Sequence, residues 1–390
     1  MQRTLHTTPS TLPSIFVSFI LLSCNAALIT YINSSFVEQF VTPKQVGLLF
    51  SAGAVLSLLI LFFSPILIKK FGAYSLSLSM IFIELISLLV LSFVSTLSVI
   101  LFFFIIYRAI ASSLVYIFDL FLEEGSKNEK ETGRIRGLYW GLSNIAFIIA
   151  PTATGFLLGE DNFTRVYFIS SLFLIPILLV MSAKLKDASK NIKAPKYLLS
   201  VIPYVFKHKD IRHIICARFI LQLFYTWMVI YTPVYLFQNL GFSWQEIGII
   251  LTIMLIPFII FEIPAGYLAD KKFGEKELLT LGFIVIGAST FAISQITTPS
   301  FLLIAGILFM TRVGASLVEI MTESYFFKHV NQDNSDLISV FRATSAFSYL
   351  IGPLLGSLVL LFFPYHFIFA FLGIISFWGI RYALAIKDTR

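Results

Sequence analysis

Within the apolar run TRVGASLVEIMTE stand Arg312, Ser316, Glu319 and Glu323. Their spacing is i, i+4, i+7 and i+11. At ~100° per residue they fall within about 40° of one another and form one polar stripe on a helix. A charge at the centre of a bilayer costs from ~3 to over 10 kcal/mol, so it needs a partner or a water-filled cavity. A guanidinium and a carboxylate placed this way can form a structural pair, or the carboxylate can take up and release a proton as its surroundings change. Glu319 is the deeper carboxylate and Glu323 lies at the edge, so Glu319 is the proton-carrier candidate. A structural Arg312–Glu319 pair is the alternative. Weaker stripes recur elsewhere: Arg108, Ser112 and Asp119; Arg218, Gln222, Tyr225 and Thr232; Ser18 and Asn25, with Asn33 further on. Glu84, central in FIELIS, is a rival carboxylate, expected to pack against a polar neighbour or to stay protonated.

The elements that carry these stripes follow from composition. Of 390 residues, 58% are hydrophobic and 13% charged, and the mean hydropathy is +0.90. Soluble domains run ~45–50% apolar and ~25% charged, so lipid is the expected solvent. A helix needs ~20 apolar residues to cross a bilayer. Twelve such runs are present, at 12–33, 45–66, 73–95, 97–119, 137–159, 164–183, 212–237, 245–267, 277–297, 300–323, 336–362 and 366–385. Alternating strand patterns are absent, which predicts an all-α membrane protein whose backbone is satisfied within each helix. Of the 28 Lys and Arg, 22 fall on the side that holds both termini, Lys44 and Arg165 on the other, and four within spans. That bias predicts a multi-pass protein of the cell (inner) membrane with both termini cytoplasmic. It also accounts for the net charge of +7 without a nucleic-acid partner. Cys24 and Cys216 both lie in spans, metal-ligand spacings and Walker-type glycine loops are missing, and no cofactor or enzymatic activity is expected.

A lysine-rich stretch, 184–211, separates residues 1–183 from 212–390, six spans each, and mixed apolar and basic residues at 197–206 suggest a short surface helix there. The halves repeat. KKFG occurs at 69–72 and 271–274, YRAIASS (107–113) aligns with TRVGASL (311–317), and Pro151 aligns with Pro353, all at offsets of 202–204. Two repeated six-helix bundles predict a pseudo-twofold molecule with a substrate site near the midplane and alternating access around it.

The stretch GYLADKKFGEK resembles the loop signature of the major facilitator superfamily, through Gly266, Leu268, Ala269, Asp270, Lys271, Gly274 and Lys276, with one extra residue before Gly274. The resemblance implies a secondary transporter whose first, fourth, seventh and tenth spans line the cavity, the same four that carry the stripes. It also implies that this loop latches the cytoplasmic ends of the halves. Asp270 would then bond the start of span five, at Gly137, or Arg134 or Arg136. Gly266 would let helices approach closely. Asp119, Glu262 and Glu323 would serve the same gate. The first copy of the phrase has Ser64 and Ile68 where the second has Gly266 and Asp270, so it keeps the turn without the latch. Span five loosely resembles the family's antiporter signature through Gly137, Pro151 and Gly155, although ordinary packing explains those residues as well.

The substrate cavity is expected to draw on Asn25, Arg108, Ser112, Arg218, Gln222, Tyr225, Arg312 and Ser316. The leading expectation is a monomeric, proton-coupled exporter of small amphiphiles, suited by Tyr225, Trp227, Tyr231 and Phe258. The alternatives are uptake of a polar metabolite such as a sugar or nucleoside, or a receptor on the same fold that does not transport.

Overall fold

The computed structural model describes residues 11–125, 129–185, 202–269, 271, 274–296, 298–330 and 336–387. Among them every regular element is a helix. Twelve helices are long and apolar enough to cross a membrane: Leu12–Thr30, Pro43–Phe71, Ala73–Phe93, Leu97–Glu123, Leu138–Leu158, Phe163–Leu185, Lys209–Asn239, Trp244–Leu268, Glu275–Ile293, Phe301–His329, Val340–Phe362 and Phe367–Ala385. They are spans one to twelve. Large apolar side chains such as Phe93, Leu302 and Phe362 point outward, as a protein solvated by lipid allows. Prolines punctuate the helices where the missing N–H leaves a carbonyl four residues earlier unpaired. Span six breaks at Phe173, before Pro176, and span eight breaks at Ile256, before Pro257. Within the lysine-rich connection a short helix runs from Ile202 to Lys207.

The chain forms two compact units. In the first, span one packs on spans four, five and six, and span three packs on spans four and six. In the second, span seven packs on spans ten, eleven and twelve, and span nine packs on spans ten and twelve. In these contacts each unit repeats the other, six spans later, as the sequence offsets predict. The second unit also includes residues 33–51. There Ser51 Oγ donates to the Leu350 carbonyl at 2.9 Å. A Cβ on Gly47 would collide with Ser357 Oγ and the Pro353 carbonyl.

The doubled KKFG has a backbone reason. Gly72 sits at φ 80, ψ 150 as the residue before span three, and Gly274 sits at φ 81, ψ 165 before span nine. This region is open almost only to glycine. Close approach explains other glycines. A Cβ on Gly314 would lie 2.7 Å from the Gly282 carbonyl, and one on Gly282 would lie 2.9 Å from the Gly314 carbonyl. Spans nine and ten thus meet nearly backbone to backbone. Gly266 is different: a Cβ there meets nothing within 4 Å, so the close packing expected of it is not found.

Candidate functional site

Span ten presents its stripe toward span seven. Arg218, 8% exposed at its side chain, ties the two together. Its Nη1 lies 3.3 Å from Glu319 Oε1, and its Nη2 donates to Glu323 Oε1 at 3.4 Å. Tyr225 donates its hydroxyl to Glu319 Oε2 at 2.7 Å. One guanidinium thus serves two carboxylates, and one carboxylate takes both an ion pair and a phenol. Glu319 and Glu323 keep 25% and 33% of their side chains exposed. Arg342 stands within electrostatic reach of Glu323, and the Arg218 guanidinium lies 5.0 Å from the Phe341 ring centroid.

Arg312 is not the partner of Glu319. It is 1% exposed, with its guanidinium 4.9 Å from the Phe224 ring and 5.3 Å from the Tyr225 ring. Its Nε and Nη1 make no hydrogen bond. Two cations and one carboxylate therefore act on Tyr225, which touches Arg312 with its ring and Glu319 with its hydroxyl. Ser316 is buried and donates to the Val313 carbonyl of its own helix. Gln222 is half-buried one turn from Arg218. Trp227 and Tyr231, expected to line a cavity, instead pack at 1% exposure. Trp227 Nε1 donates to the Gly352 carbonyl at 2.7 Å and Tyr231 to the Pro353 carbonyl at 3.1 Å. They bind span seven to span eleven. Phe258 does lie by the site, 6.1 Å from the Tyr225 ring.

In the first unit, Arg108 is half-buried on span four with its Cβ against Gly53 of span two. Ser112 is exposed and donates to the Arg108 carbonyl at 3.3 Å. Asp119 is half-buried, within electrostatic reach of Tyr139. Asn25 does not face a cavity. It is fully buried, and its Nδ2 donates to the carbonyl and hydroxyl of Ser170 at 3.0 and 2.9 Å. Its amide is used to join spans one and six. Glu84 is fully buried, and neither carboxylate oxygen has a hydrogen-bond partner. The polar neighbour expected for it is missing.

Of the gate residues, Asp270 lies outside the described residues, as do the side chains of Arg134, Arg136 and Glu262. Lys271 is exposed, its Nζ 4.5 Å from the Tyr267 ring. Sequence reasoning missed Glu275. It follows Gly274 directly, is 1% exposed, pairs with Lys328 and accepts from Ser324 Oγ at 3.0 Å. The signal was present: an acidic residue opening a helix whose first-half equivalent, Ala73, is neutral. Glu38 was missed as well. It ends the short helix Asn33–Glu38, between spans one and two. Burial pushes its carboxyl up to about 7, and nearby Gln238 offsets part of that rise. Neither oxygen has a hydrogen bond of good geometry.

Two comparisons bear on this arrangement. The family model described as Major Facilitator Superfamily matches residues 11–244 and 214–388. Among solved structures, a variant of the nucleoside transporter NupG superposes with a TM-score of 0.76. The match covers 97% of this chain and 100% of that one, at 14% identity, and at that identity it concerns the fold alone. No curated protein matches the sequence.

Proposed function

This chain belongs to the major facilitator superfamily, and from that premise we propose that it is a proton-coupled carrier of a polar metabolite, with Glu319 as the residue that takes the proton. As a member of the family it is a multi-pass membrane transporter and not an enzyme. The observation that carries the finer reading is the sharing of Arg218 between Glu319 and Glu323, with Tyr225 on the former. With both carboxylates ionised, this trio holds one negative charge in excess, which Arg342 beside Glu323 partly offsets. A proton on Glu319 cancels that excess, leaves Arg218 to Glu323 and weakens the Tyr225 bond, which loses its charge assistance. That change in charge and contacts biases which state of an alternating-access cycle is occupied to the extent that the two states hold Glu319 differently. Glu319 is exposed enough to reach water and buried enough for its charge to matter.

A polar substrate fits better than an amphiphile because two of the four aromatic residues that suggested amphiphiles are committed to packing against span eleven. What remains is Arg218, Gln222, Tyr225, Arg312, Glu319 and Glu323. Nucleosides, the substrates named for the structural neighbour, belong to the polar class. Phe258 beside Tyr225 favours the second reading, export of amphiphiles by antiport. In both readings the termini are cytoplasmic and the carrier acts as a monomer.

Reconstituted flux tests this. Proteoliposomes are given a panel of polar metabolites and amphiphiles, with and without a pH gradient. The parent protein should move a polar substrate against its gradient when the pH gradient is imposed. Glu319→Gln should lose that and keep downhill exchange. Parent-like accumulation by Glu319→Gln would sink the assignment, and gradient-driven movement of amphiphiles alone would favour the second reading.

A further inference from the structure

We infer that the substrate carries an anionic group, a carboxylate or a phosphate, and that Arg312 is its receptor. The inference rests on reading this face of spans seven and ten as the transport site. Arg312 is the most deeply buried cation of the site, at 1% exposure. Its guanidinium is stacked between no pair of carboxylates. Its neighbours are the rings of Phe224 and Tyr225, at 4.9 and 5.3 Å. Rings engage the flat face of a guanidinium and leave its N–H edge unused. That edge is where the deficit lies: Nε and Nη1 have no acceptor.

The carboxylates at hand do not supply one. Glu319 is held by Arg218 and Tyr225, and Glu323 by Arg218. Glu319 stands two helical turns from Arg312 on the same helix, ~10 Å along the axis. A buried cation with unmade hydrogen bonds is a costly feature of a membrane protein, and such residues mark substrate and ion pathways. Charge-assisted bonds to carboxylate or phosphate are the strong way to satisfy a guanidinium. Arg312 itself disfavours a cationic group at this point, and Arg218 stands two turns from Tyr225 on the facing helix. Tyr225 and Gln222 offer further polar contacts to the body of such a substrate, and Phe224 gives it an apolar wall.

The test is equilibrium binding to the full-length purified protein in detergent, with no gradient, so a failed proton role for Glu319 leaves it unaffected. The probes are benzoate against benzamide, acetate against acetamide, and inorganic phosphate, read by tryptophan fluorescence and by the shift in melting temperature. The expected result is saturable binding of at least one anion, with the matched amide at least about tenfold weaker. Arg312→Gln should lose that preference and Arg312→Lys should recover part of it. Benzoate against phosphate tells which anion the site prefers. Equal binding of benzoate and benzamide, no saturable binding of any anion, or an intact anion preference in Arg312→Gln would each overturn the proposal. Should Arg312→Gln fail to fold, the carboxylate-to-amide ratio of the parent decides alone.

Discussion

At the scale of single residues, Tyr225 is the joint of the site: its ring lies against the Arg312 guanidinium and its hydroxyl donates to Glu319. A hydrogen bond to a charged group contributes ~1.5–3 kcal/mol. Tyr225→Phe removes that bond and keeps the ring. Gradient-driven flux through Tyr225→Phe should therefore fall roughly ten- to a hundredfold, while the anion preference assigned to Arg312 survives. Unchanged flux would mean that the phenol only fills space. The sequence made Glu319 legible because helical periodicity fixes which residues share a face. It misassigned the partner because i and i+7 share a face without sharing a depth, and because Arg218 lies 101 positions away on another helix. The contact that pairs Glu319 with Arg218 depends on how spans seven and ten slide against each other, and no spacing within one helix encodes that. Asn25 failed for a related reason: the face it occupies was right to call polar, but Ser170 on span six had a claim on it.

At the scale of elements, all twelve spans were legible, since length and hydropathy alone determine them once the solvent is lipid. The turn glycines were legible as a repeat and only the backbone gave the cause. Gly72→Ala or Gly274→Ala forces a side chain into a region nearly closed to it, at ~1–3 kcal/mol. Either change should lower the melting temperature in detergent, whereas Gly266→Ala, whose Cβ meets open space, should not. A Gly266→Ala loss equal to that of Gly274→Ala would refute the distinction. The short helix Asn33–Glu38 adds a pH effect. The Glu38 carboxyl is raised by burial from its ordinary 4.5 to about 7, so the folded state holds the proton more tightly than the unfolded one. Its contribution to stability is complete below about 4.5 and is lost as pH rises through about 7. The parent should thus melt at a lower temperature at pH 7.5 than at pH 5, and Glu38→Gln should narrow that gap. An identical gap in Glu38→Gln would place the pH dependence elsewhere.

At the scale of the whole molecule, the two units share their internal packing and differ in their chemistry. The second holds Arg218 paired with Glu319 and Glu323, and Arg312 beside them, and the first holds Arg108 and the solitary Glu84. A carrier built from repeated halves gains coupling only if some part of it leaves one set of contacts for another. Residues 33–51 are the candidates for that part. They comprise the connection after span one and the first residues of span two, yet they pack as part of the second unit, with Ser51 bonded to Leu350 and Gly47 lying so close to Ser357 and Pro353 that a methyl group has no room. The seam is therefore tight where glycine permits it, and a larger residue acts as a wedge. Gly47→Leu cannot be accommodated with this seam closed, so the cycle should stall with residues 33–51 released. Flux should fall by more than about tenfold, and Ser51→Cys, silent toward a membrane-impermeant maleimide in the parent, should react when Gly47→Leu is added. Gly306→Leu, placed where a Cβ meets nothing within 4 Å, controls for bulk alone and should transport normally. If Gly47→Leu carries substrate at the parent rate, this seam is not one that opens during the cycle, and the moving contacts must be sought elsewhere in the molecule.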